Sequence, residues 1–214
     1  MPSFTIRNAR EEDFEQLYAF VFDKPDPNIL KRSRADVRKM IANGVFFIAI
    51  DDNENQIIGS CYVKADSEKL FEFGGAFVDK TYRDHGIFHV LGLSAIMSHF
   101  LGQPGTPLIA HVVSDNDDPV NALKRLMFRR TRERDRFHKS ELIGCEHMKL
   151  DPEGYVYGDT YEFQQEQLVK LAREAEKFAG SIKGKAGTSH VNINLPTFDK
   201  QILKVLRESL ETER

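Results

Sequence analysis

A short segment between a strand-like stretch and a helix-like stretch carries residues suited to binding an anion. It reads VDKTYRDHGIF, residues 78–88. A strand that leads directly into a helix aims free backbone N–H groups and the positive end of the helix dipole at the connecting loop. Gly86 allows a close approach of the backbone, and Arg83 and His85 add donors. The segment therefore predicts a phosphate site, although an ordinary loop before a helix-starting glycine fits the spacing as well.

One carboxylate precedes this segment inside an apolar strand, LFEFGGAFV, residues 70–78. Glu72 is its only acid, and a partly buried carboxylate is a candidate general base. Alternation places Glu72 on the same face as Gly74 and Ala76, unless the glycine pair forms a bulge. A strand-edge glutamate that faces solvent is the structural alternative.

The histidines have simpler interpretations. His85 and His89 have the spacing of two metal ligands on one helix face, but no third ligand accompanies them. No metal site is predicted. His111 falls in an apolar stretch and is interpreted as a buried core residue with its polar atoms satisfied.

The elements that must position these residues alternate between strands and helices. Helices are expected over residues 14–21, from Ser33 to Gly44, from Gly86 to Gly102, and from Asn116 or Asp117 to Leu126. Strands are expected at residues 4–7, 45–50, 57–63, 70–78, 107–113, 128–137 and 141–150. The order is typical of an α/β (α+β) domain.

Composition limits the possible classes of protein. The chain has 214 residues, 41% of them hydrophobic, and a net charge of −3, so it predicts one main domain plus an extension and disfavours nucleic acid as a partner. Cys61 and Cys145 have no metal-ligand spacing and are interpreted as buried free thiols. No leader or membrane-spanning run is visible, which predicts a soluble, cytoplasmic protein without membrane contact.

The segment GGAFVDKTYRDHGIFHVL resembles the acyl-CoA signature of the GNAT superfamily of N-acetyltransferases. In that signature an Arg or Gln is followed by two residues, a Gly, one more residue and a Gly or Ala; Arg83 and Gly86 fit it. Three further stretches resemble family landmarks in the same order: IRNAREEDFEQL, FFIAIDDNENQIIGSCYV and AHVVSDNDDPVNALKRLMF. The resemblance covers residues 4–150.

The resemblance implies a fold and a cofactor site. The fold is a central mixed, mostly antiparallel sheet flanked by helices, whose third and fourth long strands splay apart around the pantetheine of acetyl-CoA. The fourth strand is residues 70–78, and the Val78 N–H would also meet the oxyanion. The residues that would contact the cofactor are Ala76, Phe77, Val78, Arg83, Asp84, His85, Gly86, Ile87, Phe88 and Asn116.

The resemblance also implies an activity. The chain would transfer an acetyl group from acetyl-CoA to an amine of a small molecule or protein by direct attack, without a metal. Glu72 would be the base, since it lies eleven residues before Arg83, as in histone-acetylating members. The alternative is a CoA-binding regulatory or interaction module without turnover.

Three positions depart from the family pattern. Phe88 replaces the last Gly or Ala, and we expect its ring to turn into the core. Leu123 stands where many members have a general-acid Tyr, which favours the alternative without turnover. Met127 replaces the Gly of a terminal Gly-Phe and puts the local turn in doubt.

The arginine-rich stretch RRTRERDRFHK has both a structural and a functional interpretation. Alternation would put Arg130, Arg132, Arg134 and Arg136 on one face of a strand. Such runs are typical of solvated edge strands. Contact with the CoA 3′-phosphate, with an acidic acceptor or, less favoured, with nucleic acid is the functional option.

Residues 151–214 lie outside the resemblance and are treated as a C-terminal extension to the domain at 1–150. The sequence predicts a linker at 151–159, a helix at 161–179, a flexible loop at 181–189, a strand at 190–196 and a helix from Thr197. Because such a set cannot form its own core, it should pack on the domain or across a homodimer.

Overall fold

The computed structural model describes residues 2–23, 28–114, 116–140, 142, 144, 146, 148–178, 180–195, 198, 202, 204 and 205. The strands are β1 (Ser3–Asn8), β2 (Phe46–Asp51), β3 (Gln56–Ser67), β4 (Leu70–Val78), β5 (Leu108–Val113), β6 (Phe128–His138), β7 (Tyr155–Phe163), β8 (Gly180–Gly184) and β9 (Gly187–Asn194). The helices are α1 (Phe14–Tyr18), α2 (Arg34–Ala42), α3 (Ile87–Gly102), α4 (Asp117–Arg125) and α5 (Leu168–Lys177).

All of these strands join one sheet, in the order β6-β7-β5-β4-β3-β2-β1-β9-β8. Only two neighbouring pairs are parallel, β1 with β9 and β4 with β5; the others are antiparallel. The prediction of a mixed, mostly antiparallel sheet flanked by helices is therefore confirmed.

Helices cover both faces of the sheet. On one face α1 and α2 pack against alternate side chains of β2 and β3, including Phe46, Ile48 and Tyr62. On the other face α3, α4 and α5 enclose the larger part of the core. The residues of α3 are buried on nearly every side, as its two apolar stripes predict.

Local signals in the sequence explain several element boundaries. The Ser33 side chain accepts a hydrogen bond from the Asp36 N–H and starts α2, as predicted. β4 and the start and end of α3 fall where the sequence places them. Met127 adopts φ +65°, so the turn is retained although the residue is not glycine.

The seventh strand lies elsewhere than predicted. The strand expected at 141–150 is wrong, because residues 142, 144, 146 and 148–150, the described part of that stretch, are in turns or without regular structure. The linker at 151–159 is also wrong, since β7 runs through it and pairs with both β5 and β6. Gly158 suits this inner position, where an added Cβ would lie 3.4 Å from the Val112 carbonyl oxygen.

The remaining part of the extension also joins the main sheet. α5 starts at Leu168, later than predicted, and Leu171, Ala172 and Ala175 pack in the larger core. The loop expected at 181–189 is wrong: it contains most of the β8–β9 hairpin. The predicted boundary between domain and extension, at residue 150, would thus place β7 in a different unit from β5 and β6, with which it pairs. The final helix is described only at residues 198, 202, 204 and 205; its start at Thr197 lies outside the described residues.

Candidate functional site

The sheet is split beside β4. The resemblance implies separation of the third and fourth long strands, and this is wrong, because β3 and β4 pair along their length. β4 instead separates from β5 after two paired positions, Phe71 with Leu108 and Glu72 with Ile109. We call the gap between residues 73–78 of β4 and residues 110–113 of β5 the wedge.

The register of β4 determines which backbone groups face the wedge. The Asp79 N–H donates to the Ile58 carbonyl at 2.9 Å, so these residues form a hydrogen-bonded pair of the antiparallel ladder. Successive residues of a strand direct their backbone N–H and C=O groups to opposite edges. The N–H and C=O groups of Val78 therefore point away from β3 and into the wedge. Phe77 faces Ser60 of β3 instead. The geometry favours Val78 over Phe77 as a donor to a ligand in the wedge.

A β-bulge interrupts β4 at the glycine pair. Tyr62 pairs with Gly74 and Ser60 with Phe77, so Gly75 and Ala76 together oppose one residue of β3. Gly75 has φ +56°, and the Ser60 hydroxyl donates to its carbonyl oxygen at 3.0 Å. The bulge reverses the alternation, so Ala76 packs against the α3-side core and does not share the face of Glu72.

Glu72 lies in a polar cluster on the face covered by α1 and α2. The Lys64 ammonium is 2.6 Å from its carboxylate, and the Arg32 guanidinium is 3.5 Å away. The side chain is 13% exposed, so the interpretation as a solvent-facing edge residue is wrong. Two cations stabilise the negative charge of a carboxylate that is mostly removed from water.

Tyr62 completes this cluster. Its hydroxyl accepts a hydrogen bond from Arg32 at 3.0 Å and donates to Glu72 at 3.5 Å. Burial raises the pKa of Tyr62, and the charge of Glu72 raises it further, so the phenol stays protonated. Its ring also requires both glycines, because an added Cβ at Gly74 or Gly75 would lie 2.6 Å from ring or hydroxyl atoms.

Sequence reasoning missed Arg32, Lys64 and Tyr62. Tyr62 and Lys64 are on β3, directly opposite Gly74 and Glu72, whereas Arg32 precedes α2. Their only sequence signal is polar or aromatic character at alternate positions of β3. The register between β3 and β4 determines which residues lie opposite Glu72, and this register cannot be predicted from the sequence.

The loop that joins β4 to α3 ends at an uncapped helix start. Gly86 has φ +81° and offers no capping side chain. The backbone N–H groups of Ile87 and Phe88 have no acceptor among the described residues. Since α3 has 16 residues, its positive end lies at these groups. Arg83 and Asp84 are exposed on the same loop.

The side chains around this helix start face different ways. Ile87 is buried, and the Phe88 ring turns into the core beside Phe73, as predicted, with ring centroids 6.5 Å apart. His85 Nδ1 is 3.2 Å from the Ser189 hydroxyl. His89 contacts Glu174 of α5 at 3.2 Å, and burial lowers its pKa against the opposing effect of Glu174. The two histidines therefore do not converge.

The start of α4 lies near the far side of the wedge. Asn116 is the N-cap residue, but its side chain makes no capping bond. Its N–H donates to the Val113 carbonyl of β5 at 3.1 Å. Leu123 is 3% exposed and packs in the core, so this position supplies no proton donor.

Two interpretations at β5 and β6 need correction. His111 is exposed, not buried, and its Nδ1 is 3.2 Å from the Thr160 hydroxyl. β6 is an edge strand as expected, but its register shifts twice and Arg134 has φ +52°. Bulges break the single arginine face: Arg130 pairs with Asp159 and Arg136 with Glu153.

Three further observations concern chemistry elsewhere in the described part of the chain. No group of three His, Cys, Asp or Glu residues there could hold a metal ion. No helix there is long and apolar enough to cross a membrane. Cys61 is a buried free thiol, as predicted, whereas Cys145 lies outside the described residues.

The sequence matches no protein-family model and no curated protein. Solved structures do match. The ribosomal-protein-S18-alanine N-acetyltransferase of Escherichia coli is 12% identical with a TM-score of 0.54, covering 75% of this chain and 92% of its own. Naa50 of Arabidopsis thaliana, in complex with the bisubstrate analogue CoA-Ac-MVNAL, is 18% identical with a TM-score of 0.53 (73% and 97%). A GNAT-family acetyltransferase of Staphylococcus aureus is 18% identical with a TM-score of 0.50 (76% and 99%).

These likenesses extend over about three quarters of the chain. At such low identity they bear on architecture and not on substrate. The chain therefore has the fold of the GNAT N-acetyltransferases.

Proposed function

We propose that the chain transfers an acyl group, in the first instance acetyl, from acyl-CoA to an amine. The observation that carries this proposal is the wedge, a split parallel strand pair whose open backbone edge leads directly to the uncapped start of α3. An extended amide chain such as pantetheine can hydrogen-bond to an open strand edge. A diphosphate fits the N–H groups of Ile87 and Phe88. One ligand that joins both features is CoA.

In this proposal residues on three sides of the wedge hold the cofactor. Val78 supplies the backbone groups for pantetheine, with Ala76 beside it on the bulge. The loop residues Arg83, Asp84, His85 and Gly86 surround the diphosphate with the N–H groups of Ile87 and Phe88. The imidazole of His85 is held by the buried Ser189 hydroxyl, so His85 takes part through its place in the loop. Asn116 offers its amide from the opposite side.

Acyl transfer requires that the amine lose a proton before its nitrogen attacks the thioester carbonyl carbon. The carbon–sulfur bond then breaks, and the CoA thiolate leaves and takes up a proton. Glu72 is the proposed proton acceptor, since it lies at the last paired row before the wedge. An acceptor ammonium would compete with Lys64 for this carboxylate. Six residues of an extended strand span roughly 20 Å, so the Val78 N–H, which the resemblance assigns to the oxyanion, is too far from Glu72 to act on the same carbonyl and is proposed only to bind pantetheine.

A CoA-binding module without turnover is the second candidate. It is favoured by the apolar Leu123 in the core and by the ion pairs that already hold Glu72. Release of CoA thiol from acetyl-CoA, measured with a panel of amines, polyamines, aminoglycosides and peptides, distinguishes the two. Amine-dependent release supports the enzyme, and saturable binding without release supports the module.

Acetyl-CoA should raise the melting temperature, because a ligand that binds only the folded state stabilises it by mass action. At a hundred times its Kd the expected stabilisation is about 2.7 kcal/mol. Arg83→Ala should reduce the shift and leave the melting temperature of the free protein almost unchanged, since Arg83 is exposed. Thermal unfolding with and without millimolar acetyl-CoA measures both effects.

Arg173→Ala is the matched control, since Arg173 is also exposed but lies on α5. It should retain the full shift. If neither acetyl-CoA nor CoA shifts the wild-type protein, the assignment of the wedge as a CoA site is wrong.

A further inference from the structure

The β8–β9 hairpin contacts the loop that precedes α3. The Ala186 N–H, at the hairpin turn, donates to the Asp84 carbonyl oxygen at 3.1 Å. Next to it, Gly184 lies so close that an added Cβ would be 2.0 Å from the same oxygen and 2.7 Å from the His85 carbonyl carbon. Only a residue without a side chain fits between the hairpin and the loop.

The loop has a conformation that needs such support. Asp84 has φ +66° and Gly86 has φ +81°, both in the left-handed region. For a residue other than glycine this region is unfavourable and persists where neighbouring groups enforce it. The hydrogen bond from Ala186 fixes the carbonyl of Asp84, and the Ile182 side chain packs against Gly86.

A second contact fixes the residue between them. His85 Nδ1 is 3.2 Å from the hydroxyl of Ser189, which is fully buried on β9. The imidazole also packs edge-on against Phe4 of β1. The hairpin therefore contacts three consecutive loop residues immediately before the N–H groups of Ile87 and Phe88 at the start of α3.

We infer that the β8–β9 hairpin is a brace that positions the diphosphate-binding loop, with Gly184, Ala186 and Ser189 as positioning residues. The inference rests on the proposed function, because it concerns the affinity of the same loop for CoA. Pre-organised donors bind an anion without the cost of ordering the loop at the moment of binding. A displaced hairpin therefore weakens binding of the diphosphate end and leaves the thioester end of the wedge intact.

The test compares a ligand that has the diphosphate with one that lacks it. CoA binding is measured by calorimetry, and turnover is measured with the acetyl thioester of N-acetylcysteamine, which has no diphosphate. Gly184→Ala should raise the Kd for CoA about tenfold or more, the equivalent of about 1.4 kcal/mol. Its kcat/KM for the short thioester should stay close to that of the wild type.

Two further variants keep the test decisive. Ser189→Ala removes the contact to His85 without adding volume and should raise the Kd for CoA roughly threefold, a small loss of pre-organisation. Thr188→Ala changes an exposed residue of the same hairpin and should bind CoA like the wild type. If Gly184→Ala does not fold, Ser189→Ala decides.

The brace is refuted if folded Gly184→Ala, or Ser189→Ala in its place, binds CoA as tightly as the wild type. Equal losses for CoA and for the short thioester would also overturn it, because the hairpin would then support the whole domain and not the loop. A wild-type protein that does not bind CoA would instead contradict the proposed function.

Discussion

Glu72→Gln should lower kcat about a hundredfold or more, because the amide keeps the shape of the side chain but cannot accept the proton of the amine. Binding of acetyl-CoA should be retained, since Glu72 is not among the residues proposed to hold the cofactor.

Glu162→Gln is the matched control for this prediction. Glu162 of β7 and Glu72 both pair with Ile109, so the two glutamates occupy the same row of the sheet, two strands apart. The control should retain its kcat. If Glu72→Gln also keeps a near-normal kcat with the true acceptor, Glu72 is structural, and the proton goes to solvent or to the exposed His111.

The wild-type protein should lose stability as the pH falls from about 6.5 to about 4, and His99 should account for a measurable part of the loss. Burial lowers the pKa of His99 to about 4. Its ring lies against Phe71, with centroids 4.4 Å apart, and its Nε2 is 3.0 Å from the Thr106 hydroxyl. The neutral ring is thus favoured in the folded state.

The direction of this pH dependence follows from where the unfolded and folded states bind a proton. Below pH 6.5 the unfolded chain binds a proton at His99 that the folded protein excludes until about pH 4, so protonation favours unfolding within this window. After allowance for partial exposure of the ring, the contribution is on the order of 1–2 kcal/mol. It is fully present above pH 6.5.

Chemical denaturation at several pH values measures this effect. His99→Gln should flatten the dependence between pH 6.5 and 4, because glutamine does not titrate. An identical slope in wild type and His99→Gln would contradict the prediction, because the ring would then bind its proton equally well in the folded and unfolded states.

The parts of the fold that the sequence predicts well are those determined by local patterns. The run at 70–78 alternates too little for a surface strand and ends at a loop, and β4 occupies the same residues. Gly86 and Gly102 delimit a long apolar helix, and α3 lies between them. In each case periodicity and glycine position suffice, because the boundary depends on adjacent residues.

The parts that the sequence does not predict depend on contacts between distant residues. β7 contains turn-forming residues, and its burial comes from β5 and β6 on either side. The strand predicted at 190–196 is present over residues 190–194, but residues 181–189 have a loop-like composition and still form most of β8 and the start of β9, which pairs with β1. Tertiary pairing outweighs local propensity in both segments.

In the candidate site, too, the sequence predicts the features set by adjacent residues and not those set by contacts between distant ones. The glycine pair predicts a bulge, and the bulge is present, but its effect on Ala76 requires the register with β3. The loop at 83–88 can be predicted from the sequence because Gly86 marks the left-handed backbone position at the start of α3. The partners of Glu72 cannot be predicted from the sequence. Lys64 contacts it from the neighbouring strand β3, and Arg32 contacts it from the segment before α2.

The parallel pairing of β1 with β9 has a consequence for how the molecule is made. Ser3 pairs with His190, so β1 is synthesised well before β9, the strand that hydrogen-bonds its outer edge. Contacts of such large sequence separation form late and slow the folding of a chain. The contacts from Ala186 and Ser189 to the loop before α3 form only then. A nascent chain that has completed β1–β7 would contain the wedge but still lack the hairpin contacts that order its phosphate end.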